Sequence, residues 1–394
     1  MYPESRKVTV YRKDLLPLSE TFIVDQFRSY QRWDATLLGQ KTINNGLDTS
    51  HLPRRTLQRA DADLFNKVAW KTVQMLDWVH PKMVSTLASL KPDIVHSHFG
   101  YDAILVHRAA RRLNIPQVVT LHGGDISHRD EYYGKHRDPF MRRYMGRLRK
   151  MAESPDVHFI AVSPAIRTST IQKGIPADRV HVRYTGIDLT QFHPSPYPVA
   201  ARRRKVVYVG RLIRVKGCDV LLKASAMARA SLGDFELVVI GDGPEKSNLV
   251  RLAGEIGAPA TFLGALPRSE VIRHLQEARA FCLPSRFDEN GGYEAFGAVL
   301  LEAQASGVPT LTSAHGSKHI AIEEGKTGFS FDAEDARELS RLLVRLLTDD
   351  GLAQRMADRA PIFVKENFEI TSCTSKIESL YEEILSARCG AGRE

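Results

Sequence analysis

Residues 284–309 read PSRFDENGGYEAFGAVLLEAQASGVP. This pattern predicts a turn, an acidic glycine-rich loop and a short apolar helix that ends near Gly307 and Pro309, because Gly and then Pro stop a helix. Two carboxylates, Glu294 and Glu302, lie eight residues apart in it. If the segment is helical throughout, they are about 12 Å apart along the axis. The acid and base of a glycosidase lie closer, roughly 5 to 9.5 Å apart, so the spacing favours two ends of one extended ligand.

The start of this helix is suited to an anion. A helix N-terminus offers backbone N–H groups to a negative charge, and Gly291, Gly292 and Gly297 allow the backbone to approach it closely. The layout therefore suggests a phosphate with hydroxyl-rich groups on either side, as in a nucleotide sugar. The alternative is a surface helix with a buried apolar stripe.

On both sides of this stretch, β-rich runs alternate with helical patterns. Runs at 7–11, 35–38, 92–96, 116–121 and 157–162 predict strands of a first domain, whereas the span 48–90 is expected to be mostly helical. Runs at 205–209, 235–240, 261–263, 280–283 and 309–312 repeat the pattern. Such alternation predicts parallel sheets with helices on both faces.

The domain boundary is expected in the proline-rich segment 188–205. We therefore predict an α/β protein with two doubly wound, Rossmann-like domains that face each other across a cleft. The first spans residues 1–195, the second spans 205–366, and a final helix at 367–388 crosses back to the first. A chain of 394 residues is long enough for two such cores.

The net charge of +9 is concentrated in one half of the chain. Residues 1–196 hold 29 Lys and Arg against 19 Asp and Glu, whereas residues 197–394 hold 26 against 27. A basic half suits an anionic membrane surface or a phosphorylated substrate, or it is a solvated face. No nucleic-acid motif accompanies it. With no long apolar run, no signal peptide and four scattered cysteines, we expect a cytoplasmic protein with reduced thiols.

Three further segments follow predicted strands, where ligands of doubly wound domains bind. Residues 209–217 (VGRLIRVKG) place basic side chains after a strand and suit a diphosphate, with Arg214 expected to face solvent. Residues 240–245 (IGDGPE) form a tight turn. Residues 120–125 (TLHGGD) put His122 at a strand end.

Other motifs have simpler explanations. Ser19 and Glu20 in residues 18–23 (LSETFI) look like the N-cap and first turn of a helix. His96 and His98 could ligate a metal, but no Cys or carboxylate stands at ligand spacing. The D-x-D pair at residues 61–63 lies in a predicted helix rather than at a strand end. We therefore expect no metal and no cofactor.

The stretch 284–309 resembles the E-x7-E motif of the retaining glycosyltransferases of family 4, which have the GT-B fold. The matching residues are Pro284, Ser285, Glu294, Phe296, Gly297, Glu302, Ala303, Ala305, Gly307 and Pro309. Ala295 replaces the usual glycine, and the loop 286–293 is longer than in the commonest members. The segments 120–125, 209–217 and 240–245 also match the family, and residues 19–23 resemble its bacterial exopolysaccharide or colanic-acid-type members.

The resemblance implies a role for each matching residue. Arg211 and Lys216 would grip the diphosphate, Glu302 the ribose and Glu294 the donor sugar, while His122 would touch that sugar at the reaction centre. The donor-binding set is completed by Gly210, Gly241, Asp242, Phe296 and Gly297. The acceptor side would include Ser19, Glu20 and Thr21.

The implied function is a retaining, nucleotide-sugar-dependent glycosyltransferase of bacterial cell-surface polysaccharide or glycolipid synthesis. Its partners would be a nucleotide-sugar donor, a carbohydrate or lipid-linked sugar acceptor and an anionic membrane, with no nucleic acid. Three alternatives stay open: a GT-B epimerase or hydrolase, a phosphorylase, and a catalytically silent carbohydrate-binding subunit.

Overall fold

The computed structural model describes residues 5–43, 46–58, 64–313, 315–316 and 320–391. The D-x-D pair at residues 61–63 lies outside these ranges. The chain separates into two compact units, one formed by Met1–Gly186 with Ile370–Glu394 and the other by Ile187–Glu369. We call them the first and second unit.

Each unit is built around one parallel sheet. The strands described in the first unit are β1 (Arg6–Leu15), β2 (Trp33–Thr42), β3 (Arg54–Thr56), β4 (Ile94–His98), β5 (Gln117–Leu121), β6 (Val157–Ala161) and β7 (Val180–Val182). Those described in the second unit are β8 (Lys205–Val209), β9 (Glu236–Ile240), β10 (Ala260–Gly264), β11 (Ala280–Leu283), β12 (Thr310–Thr312) and β13 (Gly328–Ser330). The central strands β4, β5 and β11 are buried along their whole length, as expected where helices cover both faces.

The two sheets share one topology. Their orders are β3-β2-β1-β4-β5-β6-β7 and β10-β9-β8-β11-β12-β13, and both begin with the doubly wound order 3-2-1-4-5-6. The order reverses between β1 and β4 in the first sheet and between β8 and β11 in the second. Ligands of this fold class bind outside the carboxyl ends of the strands at such a switch point.

Helices cover the sheets between strands. Those described in the first unit are α1 (Thr21–Arg28), α2 (Leu64–Met75), α3 (Pro81–Leu90), α4 (Gly100–Arg112), α5 (Asp130–Gly134), α6 (Pro139–Arg142), α7 (Tyr144–Ala152), α8 (Pro164–Gln172) and α15 (Ile370–Ala391). Those described in the second unit are α9 (Cys218–Leu232), α10 (Lys246–Ile256), α11 (Arg268–Gln276), α12 (Ala298–Ala305), α13 (Ala336–Thr348) and α14 (Asp350–Phe368).

Each run predicted as a strand overlaps an observed strand, although β1 and β2 have ten residues each and extend beyond the predicted runs 7–11 and 35–38. The sequence pattern misses β3, β7 and β13, because each has three residues and is too short to show a period of two. The span 48–90, expected to be mostly helical, contains β3 as well as α2 and α3.

The proline-rich segment does not behave as a free linker. The first unit ends at Gly186, ahead of the boundary expected between residues 195 and 205. Arg202 is buried and donates to the carbonyls of Gly307 (2.8 Å) and Ala278 (3.1 Å), and Val199 packs on Ala353. These contacts fix the segment to the second unit, which proline density alone does not predict.

The last helix, α15, packs on the first unit. Its residues Ile377, Leu380, Tyr381 and Ile384 are buried in one core cluster with Trp33 and other residues of β1, β2 and α1. Its buried Glu378 accepts hydrogen bonds from the backbone N–H groups of residues 31 and 32 (2.9 and 2.7 Å). The chain therefore returns to its first unit after completing the second.

No helix within the described part of the chain is long and apolar enough to cross a membrane. None of the four cysteines, all of them among the described residues, forms a disulfide; Cys218, Cys282 and Cys373 are buried and Cys389 is exposed. Burial raises the pKa of Cys218 and Cys282, which keeps these thiols protonated and unreactive.

Candidate active site

The loops after β8 and β11 meet at the switch point of the second unit. A turn of 3-10 helix, Arg214–Lys216, follows β8 and ends at Gly217, whose φ of 65° is left-handed. A Cβ there would lie 1.8 Å from the carbonyl oxygen of Pro284. Arg286 closes the contact by donating its backbone N–H to the Val215 carbonyl (2.8 Å) and its side chain to Asp219 (2.7 Å).

This packing brings Lys216 and Glu294 together. The Lys216 ammonium donates to a Glu294 carboxylate oxygen, and both side chains are largely buried, with 22% and 12% of their surface exposed. The Arg211 side chain is exposed, and no side-chain partner is found for it within the described residues. Arg214 is exposed as predicted. The two loops therefore contribute a paired cation and carboxylate and, on the loop after β8, an exposed guanidinium.

The helix between the two glutamates is shorter than a continuous helix would be. It begins at Ala298, so only Glu302 lies on it, and Glu294 belongs to the preceding loop; the axial distance of about 12 Å for a continuous helix therefore does not apply. The left-handed φ of Gly297, 69°, interrupts the helix. Gly297 also gives the helix no side-chain cap, so its first N–H groups lack that partner. The predicted end is confirmed, with Gly307 at a φ of 68°.

Phe296 and Glu302 occupy different environments. The Phe296 side chain is buried and packs on Phe368, with ring centroids 5.8 Å apart, so the phenyl ring itself is part of the core. Glu302 is half-buried on α12. Their roles toward a ligand stay predictions.

Gly210 and Gly241 allow two strand ends to touch. A Cβ on Gly241 would lie 1.9 Å from the Gly210 carbonyl oxygen, and Gly210 N–H donates to the Ile240 carbonyl (3.0 Å). The Asp242 carboxylate accepts from the Gly243 N–H (2.8 Å) and lies 3.3 Å from the Lys246 ammonium. Asp242 thus shapes this turn, and its predicted place near a nucleotide stays a prediction.

The loop 286–293 is organised by Asp288. Its carboxylate accepts the N–H groups of Asn290 (2.8 Å) and Gly292 (2.7 Å), a local turn that Asp favours. Phe287, Tyr293 and His315 form a ring cluster with centroids 4.7 to 5.5 Å apart. The Asp-x-Asn-Gly pattern of residues 288–291 could have predicted this turn from the sequence, but the sequence analysis did not use it.

Gly217→Ala is expected to destabilise the second unit by about 2 kcal/mol more than Gly257→Ala, because it adds a backbone clash of the overpacking kind. Both positions have a φ of 65°, but nothing lies within 4 Å of a Cβ on Gly257. The control therefore carries only the left-handed strain of about 1–2 kcal/mol. Urea unfolding followed by circular dichroism measures both. Equal losses would show that the loop relaxes freely.

In the first unit, Asp125 fixes the loop that carries His122. Its carboxylate accepts the N–H groups of His122 and Gly123 (both 3.0 Å) and of Gly100 (2.8 Å). Gly100 begins α4, so Asp125 ties the end of β5 to the end of β4. The Asp of the T-x-H-G-x-D segment therefore holds the backbone of the loop in place.

His122 heads a chain of three histidines. Its Nε2 lies 3.0 Å from His98 Nδ1, and the His98 ring stacks on His96 at 4.7 Å. His96 uses both ring nitrogens, toward Tyr381 OH (2.5 Å) and Thr120 Oγ1 (2.7 Å). His96 is therefore a structural hydrogen-bonding residue. No cluster of three or more metal-ligating side chains is found among the residues that the structure describes.

Burial sets the charge of this chain. It lowers the pKa of His96 and of His122 to about 3 and the pKa of His98 well below its usual value. The three rings are therefore neutral near pH 7, and His122 is a neutral hydrogen-bonding group. Burial raises the pKa of Asp125 to about 6, although hydrogen bonds from backbone N–H groups oppose the shift.

The first unit is expected to lose stability as pH falls from 6.5 toward 4. Unfolded histidines bind protons near pH 6.5, whereas burial lowers the folded pKa of His96 and His122 to about 3 and of His158 to about 4. The unfolded chain therefore binds more protons in this window, and stability rises with pH. The raised pKa of the Glu20, Asp102 and Asp125 carboxyls has the opposite effect. Burial also lowers the pKa of His80, His98, His107 and His181, so the histidines outnumber the opposing carboxyls.

The urea midpoint near pH 7.5 and near pH 5 measures this dependence. All three tryptophans, Trp33, Trp70 and Trp78, lie in the first unit, so their fluorescence reports on that unit alone. A midpoint that is equal or higher near pH 5 contradicts the prediction. Asp125→Asn should steepen the loss.

The segment 19–21 lies beside His122 but is not built as expected. Phe22, next in the chain, contacts the His122 ring at 4.9 Å. Ser19 is exposed in a turn of 3-10 helix, and Glu20, not Ser19, precedes α1, without a side-chain cap bond. The predicted N-cap role of Ser19 is therefore wrong; Thr21 is the first residue of α1.

Glu20 instead belongs to a buried ion cluster. Arg12 donates to Glu20 (2.6 and 3.0 Å) and to Asp102, and its guanidinium lies 4.5 Å from the Phe99 ring centroid. Arg12, Glu20 and Asp102 are 5%, 7% and 2% exposed. Burial raises the pKa of both carboxyls despite the arginine. Arg12 and Asp102 are residues that sequence reasoning missed.

A cavity of about 520 Å³ opens beside this cluster. Its lining combines three lysines and three glutamines with aromatic side chains and the carboxylates of Asp102 and Asp138. The amides and carboxylates suit hydroxyls, and the lysines suit phosphate. The lysines, glutamines and aromatic residues are Lys13, Lys41, Lys71, Gln40, Gln58, Gln74, Trp70, Tyr101 and Phe140. We call it the first-unit cavity.

Known proteins share both halves of this architecture. Residues 55–191 match the family described as Glycosyltransferase Family 4, and residues 191–362 match Glycosyl transferases group 1. The D-inositol 3-phosphate glycosyltransferase of Corynebacterium urealyticum is 30% identical over 294 residues, 69% of this chain and 67% of that relative. The chain belongs to the family 4 glycosyltransferases. It is a transferase enzyme, as predicted.

Other relatives and structures agree with this family. The amylovoran biosynthesis glycosyltransferase AmsK of Erwinia amylovora is 27% identical over 308 residues, 76% of this glycosyltransferase and 70% of AmsK. HepE of Anabaena, solved with UDP, has a TM-score of 0.76 at 18% identity, covering 96% and 100% of the two chains. Sucrose-phosphate synthase of Thermosynechococcus elongatus has a TM-score of 0.73 at 19% identity, covering 97% and 100%. These structures show the fold, and the GT-B prediction is confirmed.

Proposed function

We propose that this glycosyltransferase moves a sugar from a nucleotide-sugar donor to an acceptor hydroxyl, with retention of configuration at the anomeric carbon. The observation that carries the proposal is the contact between Lys216 and Glu294 at the switch point of the second sheet. It sets a cation for phosphate directly beside a carboxylate that accepts sugar hydroxyls. A nucleotide sugar presents those two groups side by side.

The donor would be held by residues of the second unit. Lys216 and the exposed Arg211 would bind the diphosphate and stabilise its charge as the bond to the sugar breaks. The uncapped N-terminus of α12 would add backbone N–H groups. Glu294 would bind the sugar hydroxyls, Glu302 the ribose, and no metal is required in this arrangement. HepE of Anabaena was solved with UDP and with UDP-glucose, which supports a nucleotide donor here.

The acceptor would lie in the first-unit cavity. Its glutamines suit sugar hydroxyls, its lysines suit a phosphate, and Tyr101 and Phe140 offer aromatic faces to a sugar ring. Neutral His122 would contact the donor sugar at the reaction centre. Relatives named as an amylovoran biosynthesis glycosyltransferase and as a phosphatidylinositol monomannoside mannosyltransferase support an acceptor of a polysaccharide or glycolipid pathway. An acceptor carried on a lipid would bring the enzyme to a membrane surface.

A thermal-shift screen against nucleoside diphosphates and nucleotide sugars tests the donor site. A ligand that binds only the folded chain raises the melting temperature by mass action. We expect a rise with one diphosphate and its sugars, lost in Arg211→Ala and retained in Arg214→Ala. Arg214 is the matched control, because it is an exposed arginine of the same loop. No shift with any compound, or equal loss in both variants, contradicts the assignment.

Product analysis separates this proposal from its neighbours. Nuclear magnetic resonance of the glycosylated product should show the anomeric configuration of the donor. Consumption of the donor at the same rate with and without an acceptor would instead indicate an epimerase or hydrolase. Donor binding without any turnover would indicate a silent subunit.

A further inference from the structure

A second cavity, of about 700 Å³, lies along the outer side of α4 and α7 in the first unit. Its polar lining is dominated by cations, namely Arg108, Arg111, Arg112, Arg147 and Lys150. A neighbouring cavity of about 530 Å³ shares His107, Arg111 and Lys150 with it. We call the two together the basic groove. The basic groove is separate from the proposed donor site and reaction centre, because no residue assigned to either of them lines it.

The charge of the basic groove is only partly neutralised. Arg108 pairs with Asp77 at 2.6 Å, and the Arg147 guanidinium donates to the carbonyls of Gln74 (2.9 Å) and Met75 (2.8 Å). Arg111, Arg112 and Lys150 are exposed and have no carboxylate partner within the described residues. The carboxylates in the lining are Asp77, Glu153 and Asp156, and Asp156 pairs with Arg388 at 2.8 Å. Five Lys and Arg against three carboxylates leave an excess of positive charge, which favours an anionic ligand.

Three exposed apolar side chains lie close together in the chain, and one of them lines the groove; we call the three the apolar rim. Val68, Leu76 and Trp78 are 53%, 50% and 64% exposed, and Trp78 also lines the cavity. They are three of the nine large hydrophobic side chains found exposed in the described chain, yet they fall within eleven residues of sequence. A soluble phosphate needs no such rim. Exposed Trp and aliphatic side chains beside Lys and Arg are typical of surfaces that lie in the headgroup region of a membrane.

The basic groove continues into the first-unit cavity along two helices. On α4, Tyr101 and Leu105 line the first-unit cavity, whereas Arg108 and Arg112 line the groove. About ten residues of helix separate Tyr101 from the far end of the groove, a distance of about 15 Å. The chain at the end of α2 also runs from one cavity to the other, because Gln74 lines the first-unit cavity and Trp78 lines the groove. A membrane surface bound at the groove therefore lies about 15 Å from the first-unit cavity, a distance that a short sugar chain on a lipid can span.

We propose that the basic groove docks this enzyme on an anionic phospholipid membrane. Lipid phosphates bind Arg111, Arg112 and Lys150, and the side chains of Trp78, Leu76 and Val68 enter the headgroup region. The inference rests on the proposed function in one respect, because the docked surface presents the first-unit cavity to a lipid-linked sugar acceptor. It assigns a role to five of the cations in the basic half of the chain.

Vesicle binding of the full chain tests the proposal. The protein is mixed at low salt with vesicles of phosphatidylcholine alone or with added phosphatidylglycerol, and binding is measured by co-sedimentation. Trp33 and Trp70 are buried, at 4% and 5% exposure, so a blue shift of fluorescence reports mainly on Trp78. We expect binding and a blue shift only with phosphatidylglycerol, both weakened by salt.

Two variants and a control test whether the basic groove is the surface that binds the membrane. Arg111→Glu with Arg112→Glu should weaken binding roughly 30-fold or more, because each cation near an anionic surface contributes about a factor of five. Trp78→Ala should weaken binding and abolish the blue shift. The control, Arg337→Glu with Lys365→Glu, makes the same charge change at exposed positions of the second unit and should bind almost as the parent does.

Three results would overturn the proposal. These are no binding of the parent to phosphatidylglycerol vesicles, equal weakening by the groove variant and the control, or binding that inorganic phosphate abolishes while Trp78→Ala leaves it intact. The last would indicate a site for a soluble anion. Donor binding is measured separately, as the rise in melting temperature with nucleotide, and the groove variant should retain that rise. Conversely, Arg211→Ala should retain vesicle binding. Failure of one proposal is thus distinguishable from failure of the other.

Discussion

Replacing Lys216 by alanine is expected to lower turnover by about two to three orders of magnitude, the usual effect of removing one group that stabilises transition-state charge. Lys216 is the cation at the switch point, and its ammonium contacts Glu294 directly. Glu294→Gln should have an effect of similar size, because it removes the carboxylate from the same pair. The double variant should be little worse than either single one, since residues that act as a unit are not additive.

The measurement is release of nucleoside diphosphate from the donor that the melting screen identifies. Lys223→Ala is the matched control, because Lys223 is an exposed lysine that pairs with Asp219 at 3.7 Å on nearby α9. It should keep nearly full turnover. Near-normal turnover of Lys216→Ala, with an unchanged melting temperature, would remove Lys216 and Glu294 from the proposed mechanism.

Replacing Arg12 by methionine is expected to destabilise the first unit by about 3–5 kcal/mol, the range for breaking a buried ion pair by removing one partner. The side chain fills similar space but leaves Glu20 and Asp102 buried without their cation. Because burial raises the pKa of both carboxyls, they should take up protons in the variant. The difference in stability between the variant and the parent should therefore narrow as pH falls toward 5.

Urea unfolding followed by tryptophan fluorescence measures this loss in the first unit alone. Arg55→Met on the edge strand β3 is the control, because Arg55 is exposed and a surface change of this kind is usually within about 0.5 kcal/mol. Arg12→Met with Glu20→Gln and Asp102→Asn should regain part of the stability, since no unpaired charge stays buried. A loss below about 1 kcal/mol for Arg12→Met would contradict the role of the cluster as a buried ion network.

Several strand and loop assignments follow from local sequence. The strand β8 was predicted with its observed bounds because an apolar run of four residues, 206–209, follows Lys205 and ends at a glycine, and a buried parallel strand needs such a run. The end of α12 at Gly307 was predicted for the same kind of reason, since glycine adopts a left-handed φ at little energy. The start of α12 was not, because the break at Gly297 depends on how the preceding loop packs.

The roles of single residues near His122 could not be predicted in this way. Glu20 looked like a first-turn carboxylate and Ser19 like an N-cap, because both types favour helix starts. Their actual environments depend on β1 lying beside β4, which brings Arg12 and Asp102 into contact although they are 90 residues apart. No local period reports such a pairing.

The sequence by itself determined the two doubly wound sheets, the loops at their carboxyl ends and the membership of the family. Those features depend on apolar runs, glycines and basic residues that are neighbours in the chain. Only the tertiary structure decided that Lys216 meets Glu294, 78 residues away, that α15 completes the first unit, and that five cations of α4 and α7 line one cavity. The physical reason is that strand order and helix packing, rather than local pattern, determine which distant side chains share a surface.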